Sequence, residues 1–292
     1  MAGPCSTGTS APTPAQLDAF CERVWQQGAQ HYRSLPWRDT RDAYAILVSE
    51  VMLQQTQVSR VLERWEAWLE VFPTPEALAA APLAPVLALW QGLGYNRRAL
   101  NLKRACEAIV ERFDGHVPSG YDELVSLPGI GPASAAGICA FAFECPGVYL
   151  ETNVRAVFLH ELFPEREKVS DSELVPLVEA TCPESGRVRA WYYALLDYGA
   201  YLKRSGPNPS RRSAGYTRQS AFAGSRRQKR AWLVRRLLDG PATAEELAAD
   251  LSAAEQRAGR DALEQRDVEE LLEELAGEGF ATCEDGLWSC AD

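Results

Sequence analysis

A chain of 292 residues allows two or three domains, and 46% apolar against 24% charged residues is a globular balance that excludes wholesale disorder. No apolar run approaches the roughly 18 residues of a membrane helix, residues 1–14 lack the basic start and apolar stretch of a signal peptide, and the eight cysteines are scattered rather than framework-like. The formal charge of −10 is unevenly laid, because residues 231–292 hold five Arg against sixteen Asp/Glu, a net of −11. The remainder is close to neutral at +1, and within it 203–230 carries nine Lys/Arg and no acid. A cytoplasmic protein with reduced thiols, a basic segment and an acidic end module is expected.

Residues 15–32 read as a helix with Leu17, Phe20, Val24 and Trp25 on one face, broken by Ser34-Leu35-Pro36-Trp37. Tyr44 to Trp68 is apolar at helical spacing, and the polar Gln57 to Arg60 divides it into two helices. Thr74 is placed as an N-cap with Pro75 at the first helical position. Short helices follow near 75–81, 83–91, 96–113 and 121–126, separated by Gly92-Leu93-Gly94 and Asp114-Gly115. Almost nothing before residue 220 alternates like a strand, so the body is all-α. Residues 208–223 are a Pro/Ser/Arg-rich connector. Beyond it come a helix at 228–239, a capping box from Thr243 to Glu246, and a helix at 266–276 stopped by Gly277. Two short apolar runs then flank Glu284-Asp285-Gly286 as a hairpin. Three helices and a hairpin make a winged-helix-like (α+β) module.

Two segments carry chemistry. Leu127-Pro128-Gly129-Ile130-Gly131-Pro132-Ala133-Ser134-Ala135 sets two glycines between helical stretches, where backbone N–H groups at a helix N-terminus suit a phosphate oxygen. The Gly-x-Gly alone equally fits an ordinary helix-to-helix turn; the flanking Leu-Pro and the small-residue helix favour the DNA-binding reading. The second segment is Ser49-Glu50-Val51-Met52-Leu53-Gln54-Gln55-Thr56-Gln57-Val58. Glu50 is one carboxylate in an apolar run, and burial there would let it hold a proton near neutrality, as a general acid must. Periodicity alone would set it on an exposed polar face beside Gln54. The amide cluster that follows argues otherwise, since amides at a helix end can bond base edges.

These segments, with Leu35-Pro36-Trp37, Gly92-Leu93-Gly94-Tyr95, Arg98, Asn101-Leu102 and Asn153-Val154-Arg155, occur in the order and spacing of the helix-hairpin-helix DNA glycosylases. The chain most resembles the MutY-type adenine DNA glycosylases over roughly residues 17–204. The resemblance implies a two-lobed fold: terminal helices from 17–41 plus 151–204, a six-helix lobe at 42–150 holding the hairpin at 127–135, a flexible tail at 1–16, a basic linker at 205–227 and the module at 228–292. It also implies a monomer that binds double-stranded DNA containing a mispaired or damaged base, nucleoid-associated in a prokaryote. Glu50 is the matching acid for N7 of an adenine, Gln55 fills the gap left by the extruded base with Tyr95 as a second wedge, Gln54 belongs to the base pocket, and Asn153 ties the second acid's loop together. Gly129, Ile130, Gly131 and Ser134 hold a phosphate, together with a bound monovalent cation.

The chain departs from that family in several places. Where the family has an Asp in Leu-Asp-Gly-Asn-Val, this chain has Glu151 in Leu150-Glu151-Thr152-Asn153-Val154, a second catalytic carboxylate or merely a helix-start acid. Ala133 stands where bifunctional members place a lysine, so no Schiff base and no lyase activity are expected. No cysteine lies between Cys182 and Cys283, so the family's [4Fe–4S] cluster has no ligands and no metal is expected. The basic segment replaces it, either as a solvated linker or as a phosphate strap using Arg211, Arg212 and Arg218. The module is too small for the family's Nudix-like reader of 8-oxoguanine, and its acidic helix at 267–275 would be repelled by phosphate, which favours packing or a protein contact. The expected activity is a monofunctional DNA glycosylase acting on adenine in a mispair. A hypoxanthine or other damaged-base glycosylase, and a non-catalytic DNA-binding protein on the same scaffold, are the alternatives.

Overall fold

The computed structural model describes residues 12–217 and 221–291, which leaves Arg218 outside the described residues. In chain order the elements are α1 (Pro14–Gln30), a 3₁₀ turn (Pro36–Arg38), α2 (Ala43–Leu53), α3 (Val58–Val71), α4 (Pro75–Ala80), α5 (Leu83–Trp90), α6 (Arg97–Phe113), α7 (Tyr121–Val125), α8 (Pro132–Phe143), α9 (Thr152–Glu161), α10 (Asp171–Thr181), α11 (Val188–Ser205), a second 3₁₀ turn (Pro209–Arg212), α12 (Arg226–Leu238), β1 (Ala242–Thr243), α13 (Ala244–Arg257), α14 (Gln265–Glu278), β2 (Ala281–Glu284) and β3 (Leu287–Cys290). They form two compact units, Met1–Leu35 with Ala136–Thr217 and Pro36–Ala135 with Arg218–Asp292. The division falls inside α8, a helix that the sequence reading kept whole within 42–150.

The first unit is built on α1, α9 and α11. Thr13 caps α1 in a reciprocal box with Gln16, whose Oε1 accepts from the Thr13 N–H at 2.8 Å. Helix therefore begins at Pro14, inside the span 1–16 expected to be a tail. Phe20 packs on Phe158 at 4.7 Å between ring centroids, with Trp191 edge-on at 6.4 Å. α9 and α11 approach so closely at Gly199 that a Cβ there would overlap the Asn153 backbone carbonyl. Gly199→Ala is thus expected to destabilise the protein by about 2 kcal/mol, the usual cost of overpacking, read as a lower midpoint in thermal unfolding. An unchanged midpoint would mean that the two helices are free to separate.

The basic segment after α11 is more ordered than a linker. The Val169 N–H donates to the Arg212 carbonyl at 2.9 Å and the Ala214 N–H to the Val169 carbonyl at 2.7 Å, a short parallel bridge. The Arg212 guanidinium donates to the carbonyls of Leu159 (2.7 Å), Pro164 (2.8 Å) and Phe163. α12 already starts at Arg226, so the expected linker ends two residues early.

The second unit holds α2–α7, the first turn of α8, and the C-terminal module. Its core is aromatic, with Trp68 against Trp90 at 5.4 Å and the Trp65 indole donating to the Ala45 carbonyl at 3.0 Å. Thr74 caps α4 as expected, accepting from the Ala77 N–H at 3.2 Å. The module carries the three helices and the hairpin, whose turn residues Asp285 (φ 50°) and Gly286 (φ 80°) are both left-handed as a two-residue hairpin turn demands. β1 adds a third strand, giving the order β1-β3-β2; two residues are too short to show in a sequence pattern. α14 reads through Gly277 and stops at Gly279, which takes φ 88° at the cap. Its acids are partly spent inside the fold. Glu274 pairs with Arg226 (2.6 Å) and Arg230 (2.9 Å), and Glu278 pairs with Arg230 (2.6 Å) and, on α6, with Arg97 (2.9 Å).

Candidate active site

In the second unit the site grows from α2. This helix is apolar on every side, with Tyr44–Ser49, Val51 and Met52 all buried, and Asp42 caps it by accepting from the Ala45 N–H at 2.7 Å. Glu50 is half-buried one turn from its C-terminus, neither sealed in the core nor out in bulk water. The last carbonyls of a helix have no intrahelical donor. Here Arg98 supplies them: one guanidinium nitrogen donates to the carbonyls of Val51 (2.9 Å), Met52 (2.9 Å) and Gln54 (2.7 Å). The other reaches the Thr56 hydroxyl (2.9 Å) and the carbonyls of Leu93 (3.0 Å) and Gly94 (2.8 Å). Burial pulls its pKa down to about 10, which leaves it charged at neutral pH, against the negative end of the helix dipole. One cation thus fastens the end of α2 to the turn that carries Tyr95.

The two wedge candidates sit on either side of that fastening. Gln55 (φ 54°) and Tyr95 (φ 51°) are both exposed and both left-handed, a conformation that costs a side-chain-bearing residue about 1–2 kcal/mol. Gln54 points elsewhere: its amide donates to the Ser134 hydroxyl at 2.9 Å, joining the site helix to the first turn of α8. Ser134 is buried, so its hydroxyl serves this internal bond, whereas the sequence placed it on the DNA.

At the hairpin, Gly129 takes φ 75°, and a Cβ there would strike the Asn101 side chain at 2.5 Å. Ile130 is buried and its N–H donates inward to the Leu127 carbonyl at 3.2 Å. Gly131 faces open space, and the amides of Ala133 and Ser134, in the first turn of α8, have no intrahelical partner. The backbone donors of this motif that lack an intrahelical partner therefore lie beyond Ile130, at the start of α8.

In the first unit, Glu151 is the N-cap of α9. Its Oε1 accepts from the N–H groups of Asn153 (2.6 Å) and Val154 (3.1 Å). Desolvation raises its pKa above the usual carboxylate range, opposed by those two amides and by the charge of Lys203. Lys203 donates to the Asn153 side-chain oxygen at 3.0 Å, so α11 secures the loop that positions the acid. The helix-start role foreseen for Glu151 is thus real, and it is compatible with a catalytic one because the cap bonds fix the carboxylate. Arg211 is exposed, while its neighbour Arg212 is turned inward onto carbonyls and is unsuited to a phosphate strap.

The sequence marks Arg98 only as one residue of the motif and gives no sign of Lys203's role. An arginine on the inward side of α6 next to Ala99 and Leu100 was a usable signal for the first; nothing local marks the second.

A family model described as the HhH-GPD superfamily base excision DNA repair protein matches residues 48–184. The adenine DNA glycosylase of Mycolicibacterium smegmatis is 35% identical over 271 residues, covering 87% of this chain and 92% of that protein. The chain belongs to the HhH-GPD superfamily, on its adenine glycosylase branch. Within that branch, the Mycobacterium tuberculosis adenine DNA glycosylase is 34% identical over 88% of this chain and 93% of its own length. Such coverage cannot be reached without part of the C-terminal module. Among solved structures, a non-covalent endonuclease III–DNA complex (22% identical, TM-score 0.58, 67% of this chain and 90% of that one) and a thermostable thymine-DNA glycosylase (23%, 0.57, 64% and 87%) share the fold.

Proposed function

We propose that this chain is an adenine DNA glycosylase of base excision repair, which extrudes an adenine from a mispaired duplex and hydrolyses its N-glycosidic bond. The observation that carries the reading is Glu50, half-buried in an apolar helix whose end is held rigid by Arg98 and projects Gln55 outward. Glu50 gives its proton to N7 of the adenine, the C1′–N9 bond breaks with its electron pair leaving on the base, and the sugar becomes oxocarbenium-like. Glu151 in its ionised form stabilises that cation. Water adds its oxygen to C1′ and loses a proton to a carboxylate, leaving an abasic site and free adenine. Gln55 and Tyr95 prop the opened duplex, which offsets part of the few kcal/mol that extrusion costs. The amides of Gly131, Ala133 and Ser134 take a phosphate without reading sequence.

Ala133 supports a monofunctional enzyme, because a methyl group cannot form a Schiff base. A [4Fe–4S] cluster does not fit this chain: four thiolates would have to follow α11, and the segment there holds none and is packed through Arg212 instead.

The test uses duplexes with adenine opposite 8-oxoguanine, adenine opposite guanine, and hypoxanthine opposite thymine, developed with alkali to reveal abasic sites. Release from the adenine duplexes is expected, with no nick before alkali. Binding to all three without release would replace the reading by a non-catalytic DNA-binding protein. The raised pKa of Glu151 sets a second expectation. Its ionised form is lost as pH falls through a pKa above the usual ~4.3 for Glu, so the acid limb of the single-turnover rate lies above that value. Glu151→Asp keeps an N-cap but withdraws the carboxylate by about a bond length, and should slow excision by about 10²-fold, the cost of ~1 Å of misplacement. An unchanged rate would leave Glu151 a helix cap only.

A further inference from the structure

In the first unit one cation is aimed at the second acid. Lys203 lies in the last turn of α11 and is half-buried, whereas its neighbour Arg204 is exposed. It sits one turn beyond Gly199 on the same face of α11, where that helix meets the backbone of Asn153. Its ammonium donates to the Asn153 side-chain oxygen at 3.0 Å. An ammonium has donors only, so this bond decides which way round the amide stands, with its oxygen to Lys203 and its NH₂ away. The NH₂ end is then left for Glu151, whose ionised form the Asn153 side chain favours by a hydrogen bond. Glu151 Oε1 already accepts from the backbone N–H groups of Asn153 (2.6 Å) and Val154 (3.1 Å). Cation, amide and carboxylate thus form one chain. The stability of α9 does not call for it, because a positive charge near a helix N-terminus opposes the dipole. Other charges on the packed elements are matched among themselves: Arg155 with Asp171, Arg33 with Asp197, Arg23 with Glu161, and Arg212 with carbonyls. Desolvation raises the Glu151 pKa, and the charge of Lys203 works against that rise.

We propose that Lys203 is a positioning residue for the second acid of the reaction: acting through Asn153, it fixes the Glu151 carboxylate and supplies its countercharge. This rests on the glycosylase reading and deepens it. A desolvated acid without that countercharge would spend more of its time neutral, and a neutral carboxyl does not stabilise a sugar cation. Lys203 makes no bond to the substrate in this role.

The test compares wild type, Lys203→Met and Lys203→Arg as full chains isotopically labelled at the glutamate carboxyls. The Glu151 carboxyl resonance is assigned by its loss in Glu151→Gln. In Lys203→Met that resonance should titrate about one pH unit higher than in wild type, the effect of removing one nearby opposite charge. The acid limb of single-turnover adenine release should move up with it. Above the limb the rate should fall about tenfold, less than the ~10² lost for ~1 Å of misplacement. Lys203→Arg, which keeps both the charge and a donor, should restore the limb, and affinity for the mispaired duplex should stay unchanged in both variants. Coincident Glu151 titrations in wild type and Lys203→Met overturn the proposal, whatever happens to the rate. An unmoved acid limb with a log–log salt slope lowered by about 1 overturns it too, and makes Lys203 a phosphate contact. If Lys203→Met fails to fold, Lys203→Gln, which keeps a donor and drops the charge, must show the same displaced titration or the proposal falls. Failure of the glycosylase reading looks different: wild type releases no base from any mispaired duplex, while the Glu151 titration still responds to Lys203.

Discussion

Glu50→Gln is expected to lower single-turnover release of adenine by about 10²–10⁴-fold, the contribution of one positioned general acid. The amide matches the carboxyl in size and keeps its polarity, so α2 should fold as before; what it lacks is a proton to give. Affinity for a duplex with a mispaired adenine should therefore stay within a few-fold of wild type. Quench-and-alkali assays with enzyme in excess read the first quantity, and fluorescence anisotropy the second. A variant that excises within tenfold of wild type would remove Glu50 from the chemistry. One that neither excises nor binds would make it a structural residue.

Arg98→Ala should be the most damaging single change in the second unit. It removes a charged donor from five backbone carbonyls and the Thr56 hydroxyl at once, leaving Val51 with the Gln54 N–H, Gln54 and Leu93 with the Thr56 hydroxyl, Gly94 with the Trp90 indole, and Met52 without a side-chain donor. Each buried carbonyl left unmatched costs about 1–3 kcal/mol, and water entering the space recovers part of that. A net loss of about 3–5 kcal/mol is expected, in the range reserved for broken buried polar networks. At roughly 2–4 °C per kcal/mol for a chain of this size, the melting midpoint should fall by about 10 °C. Arg98→Lys should rescue little, because a compact ammonium with three donors cannot span both the α2 end and the Leu93–Gly94 turn. Residual folded protein should also excise poorly, since Gln55 and Tyr95 both lose the clamp that holds them left-handed. A variant melting within a degree of wild type would show that the two turns are held by packing alone.

Much of this protein is legible along the chain because local rules agree there. Thr74 and Thr243 announce their helices through capping, Asp285-Gly286 announces a hairpin through its need for left-handed backbone, and α2 declares itself by an apolar run with one acid in it. The order and spacing of the Glu50 segment, Gly92-Leu93-Gly94-Tyr95, the hairpin at 127–135 and Asn153-Val154-Arg155 carried the resemblance to the superfamily. The errors lie where a local rule met a longer-range one. Gly277 looked like a stop, but the helix had one further acid, Glu278, to pair and ended at Gly279 instead. The basic stretch after α11 read as a solvated linker or a phosphate strap, whereas the Arg212 guanidinium turns inward onto the carbonyls of Leu159 and Pro164.

From sequence alone came the all-α body, the acid at position 50, the alanine in place of a lysine and the missing thiols, since each is a matter of which residue stands at a spacing. Only the folded chain decided that Arg98 clamps two turns 40 or so residues apart, that Ser134 faces Gln54 rather than solvent, and that α12 lines a basic cleft beside Tyr95. Those outcomes depend on which buried donor reaches which orphaned acceptor across the fold, and no periodicity in one dimension encodes a meeting between residues so distant in sequence.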